Sequence, residues 1–194
     1  MKKQTISLYL RDLAKHLSAT KVTSKKNALS LESGIKKAVD RLVSLRKNST
    51  KVMLIGNGGS AAIASHQAMD LWRSGGIRSM AFNDAVGLTC LGNDFGYEYV
   101  FSKGIQMFAD KGDLLLAVSS SGRSKNILNA VSEARQRKCA VITFSGFGAD
   151  NPLRASGDLN FYVGSQSYGF VEVAHLALIH AISDFVGMQT KARL

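Results

Sequence analysis

Two periodicities divide the chain. Before residue 50, apolar positions recur at helical spacing. Ile6, Leu10, Leu13 and Leu17 predict a helix over residues 4–19. Leu31, Ile35, Ala38, Val39, Leu42 and Leu45 predict a second over about 28–46. The polar stretch Thr20–Lys26 reads as a linker between them. From Lys51 the pattern changes to short, continuous apolar runs: VMLIG (52–56), SMAF (79–82), LLLAVS (114–119), AVITFS (140–145) and LNFYV (159–163). Helical stretches over 60–73, 98–109, 124–137 and 169–187 separate most of them. Fully apolar strands alternating with helices predict an α/β fold, a parallel sheet covered on both faces. The expected division is residues 1–50, helices packing on the core or on a partner subunit, and 51–194, the α/β unit. The two form one structural unit. The single proline, Pro152, falls in a loop between strands.

Composition adds limits. A chain of 194 residues with 45% hydrophobic and 20% charged residues suits one soluble globular domain. No apolar run reaches the ~18 residues of a membrane span. Arg11, Asp12 and Lys15 interrupt any signal-peptide core, so no membrane association and a cytoplasmic location are expected. The net charge is +11, and residues 1–51 supply +10 of it. That segment has one aromatic residue, Tyr9, so base stacking lacks support and nucleic acid is not an expected partner. Cys90 and Cys139 lie in apolar contexts without metal-ligand spacing and read as buried, reduced thiols.

Two loops carry candidate chemistry. The first strand runs into GNGGSAAIASH (56–66), where Gly56, Gly58 and Gly59 permit a sharp turn and close ligand approach. A helix follows, whose N-terminus favours an anion. The motif is neither a dinucleotide fingerprint nor a P-loop, and a purely structural turn is the competing reading. The third strand ends in SSSGRSKN (119–126). Ser119, Ser120, Ser121 and Ser124 surround Gly122 at another helix start, which suits a phosphate monoester; a serine-rich helix cap is the alternative. Arg123 and Lys125 either add charge there or face solvent.

GNGGSA (56–61), GNDFG (92–96), SSSGRSKN (119–126) and VEVAHLALIH (171–180) together resemble the signature segments of the SIS (sugar isomerase) family, in its phosphoheptose isomerase branch. The resemblance spans essentially the whole chain. It implies a flavodoxin-like three-layer α/β/α sandwich with a five-stranded parallel sheet and two leading helices. It also implies a homotetramer with active sites between subunits. Ser119, Ser120, Ser121 and Ser124 match the phosphate-binding loop. Asn57, Gly58, Gly59 and Ser60 match the turn lining the sugar, and Asp94 matches a substrate-contacting aspartate. Four positions that bind zinc in the isomerases correspond to His66, Asp70, Glu172 and His180. The family carries glutamate where Asp70 stands and glutamine where Glu172 stands. The resemblance assigns proton transfer to Asp70 and His180, and Glu172 brings a further carboxylate able to act as base.

The residues are compatible with that chemistry. Aldose–ketose isomerisation needs a base near carbon and a second group managing the oxygens. A divalent metal assists with developing negative charge. His66 and Asp70, four apart, share a helix face. Glu172 and His180 are eight apart, about 80° around a helix, whereas His175 is turned from His180 by about 140° and reads as a packing residue. A buried polar cluster is the competing reading of the quartet. The function expected is isomerisation of sedoheptulose 7-phosphate to D-glycero-D-manno-heptose 7-phosphate, feeding nucleotide-activated heptose for lipopolysaccharide or capsule. The alternatives are a noncatalytic phosphosugar-binding adaptor, similar to the replication-initiator-associating SIS protein, and a sugar-phosphate sensor.

Overall fold

The computed structural model describes residues 5–25, 27–46 and 50–191. Helix α1 (Ile6–Ser18) starts where the Leu8 N–H donates to the Thr5 hydroxyl, and α2 (Leu31–Leu45) starts on the Ser30 hydroxyl in the same way. Between them the expected linker folds as a hairpin, β1 (Lys21–Ser24) and β2 (Asn27–Leu29). The remaining elements are β3 (Val52–Ile55), α3 (Gly59–Arg73), β4 (Ser79–Ala81), α4 (Ala85–Phe95), α5 (Val100–Phe108) and β5 (Leu114–Ser119). They continue with α6 (Lys125–Gln136), β6 (Ala140–Ser145), β7 (Leu159–Tyr162) and α7 (Tyr168–Lys191).

The sheet runs β2-β1-β7-β6-β5-β3-β4. Strands β3 to β7 are mutually parallel, and their order is the flavodoxin-like 2-1-3-4-5. The expectation of a five-stranded parallel sheet therefore needs correction: the sheet is mixed and has seven strands. β1 pairs antiparallel with β7, Val22 opposite Phe161, and covers an edge that would otherwise be open. The stretch that does this is short and mostly polar. Val22 is its one buried residue, too little for an alternating pattern.

Strand side chains alternate between two cores, as a doubly covered sheet requires. Val52, Leu54, Leu114, Leu116, Phe144 and Phe161 pack with Leu42, Leu45, Leu71, Leu178 and Ile182 of α2, α3 and α7. Met53, Ile55, Leu115 and Ala117 face the other way, onto Phe101, Ile105, Ile127 and Val131 of α5 and α6. The three layers are thus present. The second helix begins at Leu31 rather than near 28, because the hairpin takes residues up to 29. α7 from Tyr168 to Gln189 is long and apolar enough to cross a membrane by length and composition, although Glu172 and Asp184 break the run in sequence. Half of that stretch is buried in the fold, against α2, α3 and the sheet.

Candidate active site

In an open parallel sheet, ligands gather at the carboxyl ends of strands where the strand order reverses. Here that point lies between β3 and β5. The loops leaving these strands are GNGGS and SSSGRS.

The glycine turn has no spare room. A Cβ on Gly56 would collide with the Ser60 carbonyl, and Gly58 adopts φ +53°. α3 begins at Gly59 with no side-chain cap; the Ser60 and Ala61 N–H groups turn back onto the Asn57 carbonyl. Gly58 and Gly59 are exposed and Asn57 half-buried, whereas Ser60 is only 3% exposed. The Glu172 carboxylate lies directly over Gly59: a Cβ there would sit 2.6 Å from both oxygens.

The serine loop turns at Gly122, φ +62°, where a Cβ would overlap the Asn151 side-chain oxygen. Gly122 N–H donates to Ser119 Oγ (3.2 Å) and Arg123 N–H to Ser121 Oγ (3.2 Å). Ser124 occupies the N-cap of α6, yet its hydroxyl makes no capping bond. Ser120 Oγ is buried without a protein partner. A serine-rich cap would use the Ser124 hydroxyl, so that reading loses its support. Arg123 is paired with Asp150 at 2.7 Å, and Lys125 is exposed.

A pair of amides joins the loops. Asn57 Nδ2 donates to Asn126 Oδ1 at 3.0 Å, and Asn126 Nδ2 donates to Asn57 Oδ1 at 2.8 Å. Tyr97 Oη also donates to Asn57 Oδ1, at 3.1 Å. Sequence reasoning gave no role to Asn126 or Tyr97. Asn126 sits inside the serine motif and Tyr97 directly follows GNDFG, so proximity was the only signal.

α3 and α7 lie side by side and run in the same sense, since Gly59 meets Glu172, Gln67 meets Ser183 and Gly75 meets Val186. This brings three of the four expected metal positions together. His66 Nε2 is 3.1 Å from His180 Nε2 and 3.1 Å from Asp70 Oδ2, and His180 Nδ1 is 3.8 Å from Asp70 Oδ2. One ligand atom from each lies within 4.8 Å of the others. Glu172 is not part of this group; it belongs to the glycine turn. The group opens on a cavity of about 240 Å³ that Arg73, Ser74, Ser183 and Asp184 also line. Two imidazoles and a carboxylate with an open side form the donor set of a catalytic zinc site, so the residues fit that ion.

The other expected residues fall as follows. Asp94 is exposed near the end of α4, where Cys90 Sγ lies 3.5 Å from Oδ2 and Asn93 Nδ2 lies 3.0 Å from Oδ1. The hydrogen bond to Asp94 pushes the Cys90 thiol pKa up. Cys90 is exposed, which corrects the expectation of two buried thiols; its strand-like LTCLG context lies on an outer helix. Cys139 is buried, and burial pushes its pKa up to about 11. His175 is fully buried, donates from Nε2 to the Ser145 carbonyl (3.1 Å), and is held down to about 4 by burial. It is the packing residue that the helical angle indicated.

This fold with this loop pair defines a class, and comparison agrees: the SIS domain profile matches residues 15–146, and the chain belongs to that family. Its relatives within the family include phosphoheptose isomerases. It is 36% identical over 169 residues to the phosphoheptose isomerase of Helicobacter hepaticus, covering 84% of this chain and 86% of the relative. It is 39% identical over 148 residues to that of Campylobacter concisus, covering 72% and 77%. The solved phosphoheptose isomerase GmhA from Neisseria gonorrhoeae superposes with a TM-score of 0.81 at 28% identity, over 93% of this chain and 97% of that one. The chain is an isomerase of the phosphoheptose isomerase branch.

Proposed function

We propose that the substrate is sedoheptulose 7-phosphate and the product D-glycero-D-manno-heptose 7-phosphate. The observation that carries this is the meeting of two helix starts, α3 and α6, neither closed by a side-chain cap, at the switch point of the sheet. Ser119, Ser120, Ser121 and Ser124 hold the phosphate. Asn57, Gly58, Gly59, Ser60 and Asp94 line the sugar. His66, Asp70 and His180 hold a zinc ion, which when bound supplies positive charge to polarise the substrate oxygens.

The proton transfer falls to Glu172, whose carboxylate lies over the turn that lines the sugar. It takes a proton from C1 of the ketose, the electron pair forms the C1–C2 double bond of an enediol, and the C2 oxygen gains a proton. Return of a proton to C2 and loss of the O1 proton give the aldehyde. The oxygen protons exchange with solvent, which reaches the exposed glycine turn; His180, about 12 Å further along the axis of α7, stays with His66 and Asp70 as a ligand of the ion. This assignment keeps Asp70 among the ion's ligands, in line with its place between two imidazoles. Exposed apolar side chains, among them Met69, Trp72, Val86, Phe95 and Met107, support assembly into a homotetramer. Two unpaired cysteines suit the reducing cytoplasm. The product would feed nucleotide-activated heptose for lipopolysaccharide or capsule.

The test is NMR observation of sedoheptulose 7-phosphate with pure protein, with and without zinc. Wild type is expected to form the aldose. Glu172→Gln should cut kcat by about 10²–10⁴ while retaining zinc, and Asp70→Ala should lose zinc. Near-normal turnover by Glu172→Gln moves the base to Asp70. Phosphosugar binding without turnover by wild type restores the adaptor or sensor.

A further inference from the structure

The amide pair at the switch point has a direction. The Ile127 backbone N–H can only donate, and it donates to Asn126 Oδ1 at 3.0 Å. The same N–H also reaches the Ser124 carbonyl at 3.1 Å, and its second branch turns the oxygen end of the Asn126 amide toward α6. Asn126 Oδ1 then accepts from Asn57 Nδ2, and Asn126 Nδ2 must find an acceptor, which is Asn57 Oδ1. A flip of either amide would set donor against donor or oxygen against oxygen. The orientation of Asn57 is therefore imposed from α6.

The count of bonding sites completes the argument. An amide oxygen has two lone pairs and an amide nitrogen two protons. Asn57 Oδ1 accepts from Asn126 at 2.8 Å and from the Tyr97 hydroxyl at 3.1 Å, so both lone pairs are used. Asn57 Nδ2 spends one proton on Asn126. One N–H remains. We propose that Asn126 and Tyr97 are positioning residues that make Asn57 a donor only, so that this part of the site selects a substrate oxygen that accepts a hydrogen bond.

The selection follows from the penalty on mismatched polar groups. A sugar hydroxyl that must donate toward Asn57 finds no free acceptor on that amide and is left unpaired there. An oxygen that accepts, above all one gaining negative charge as the enediol forms, meets a fixed N–H. Tyr97 does this from the turn after GNDFG. It couples the segment holding Asp94 to the glycine turn through one hydroxyl.

The inference rests on the sugar-phosphate reading above, and its test separates the two. Affinities for sedoheptulose 7-phosphate and for inorganic phosphate are measured by calorimetry on wild type, Tyr97→Phe and Asn126→Ser. Both variants are neutral, and thermal melts report their folding. Tyr97→Phe should weaken sugar-phosphate binding about fivefold, one hydrogen bond's worth, and Asn126→Ser more than about tenfold. Inorganic phosphate, held by the serine loop alone, should bind all three proteins equally. A parallel loss for both ligands marks a merely structural role and overturns the inference, as does an undiminished sugar-phosphate affinity. If Asn126→Ser does not fold, Tyr97→Phe carries the test, because it removes only an exposed hydroxyl. Wild type that binds inorganic phosphate but not the sugar phosphate sinks the functional reading, and this inference with it.

Discussion

At Gly122 the chain turns with φ +62°, and the Asn151 amide fills the space a side chain would need. Two constraints meet at one residue. Gly122→Ala should lose about 1–3 kcal/mol for the backbone alone, more with the overlap, and should release phosphate as the loop re-forms. Thermal melts and phosphate titration check both outcomes. His175 makes a different prediction. Burial holds its pKa near 4, below the 6.5 of an exposed imidazole. The unfolded chain therefore takes up a proton below pH 6.5 that the folded protein refuses until about pH 4. Stability is full above pH 6.5 and falls as pH drops toward 4, by about 3 kcal/mol at 1.36 per unit. His175→Gln keeps an N–H donor and removes the titration, so its melting temperature should change less with pH over that window. Single residues also mark the limit of sequence reading. The serine loop and the glycine turn were legible because glycine and clustered hydroxyls have few other uses at strand ends. The position of Glu172 over Gly59 was not, because a helical angle places a residue on a face but not at a height opposite another helix.

Elements were legible in proportion to their apolar pattern. β5 and β6, mostly apolar, match their expected limits, 114–119 and 140–145. α4 went unnoticed although Asp84 caps it, its Oδ1 accepting from Gly87 N–H at 2.8 Å. No α4 residue is fully buried, so the element shows no strong stripe; Leu88 and Leu91 only rest against the core. The hairpin β1–β2 escaped for the same reason. At the opposite end of the sheet from the site, Asp113 ties element starts together. Its fully buried carboxylate accepts from Lys51 N–H (2.9 Å) and Asp110 N–H (2.8 Å), and pairs with the Lys51 ammonium at 2.6 Å. Asp113→Ala strands these donors and should cost about 3 kcal/mol, whereas Asp113→Asn, which keeps an acceptor, should cost less. Denaturant unfolding of the two variants tests the ordering.

On the scale of the molecule, the boundary expected at residue 50 runs through shared structure. β1 lies in the main sheet, and Ala38, Val39, Leu42 and Leu45 of α2 belong to the core that α7 also lines. We propose that residues 1–50 are required for folding. A chain starting at Lys51 should be insoluble or lack a cooperative melt, which expression and circular dichroism would show. Zinc should act across the same layer: an ion bound by His66, Asp70 and His180 of the folded state alone raises the melting temperature with its concentration. Melting in zinc and in chelator measures this, and Asp70→Ala should abolish the difference.

The pairing of α3 with α7 also sets an order of events during synthesis. A ribosome delivers a chain from its N-terminus, and the helix bearing His66 and Asp70 emerges long before the one bearing Glu172 and His180. Until α7 has emerged, the nascent protein has His66 and Asp70 but neither the opposing His180 imidazole nor a carboxylate over the glycine turn. The cluster assembles only once α7 docks beside α3.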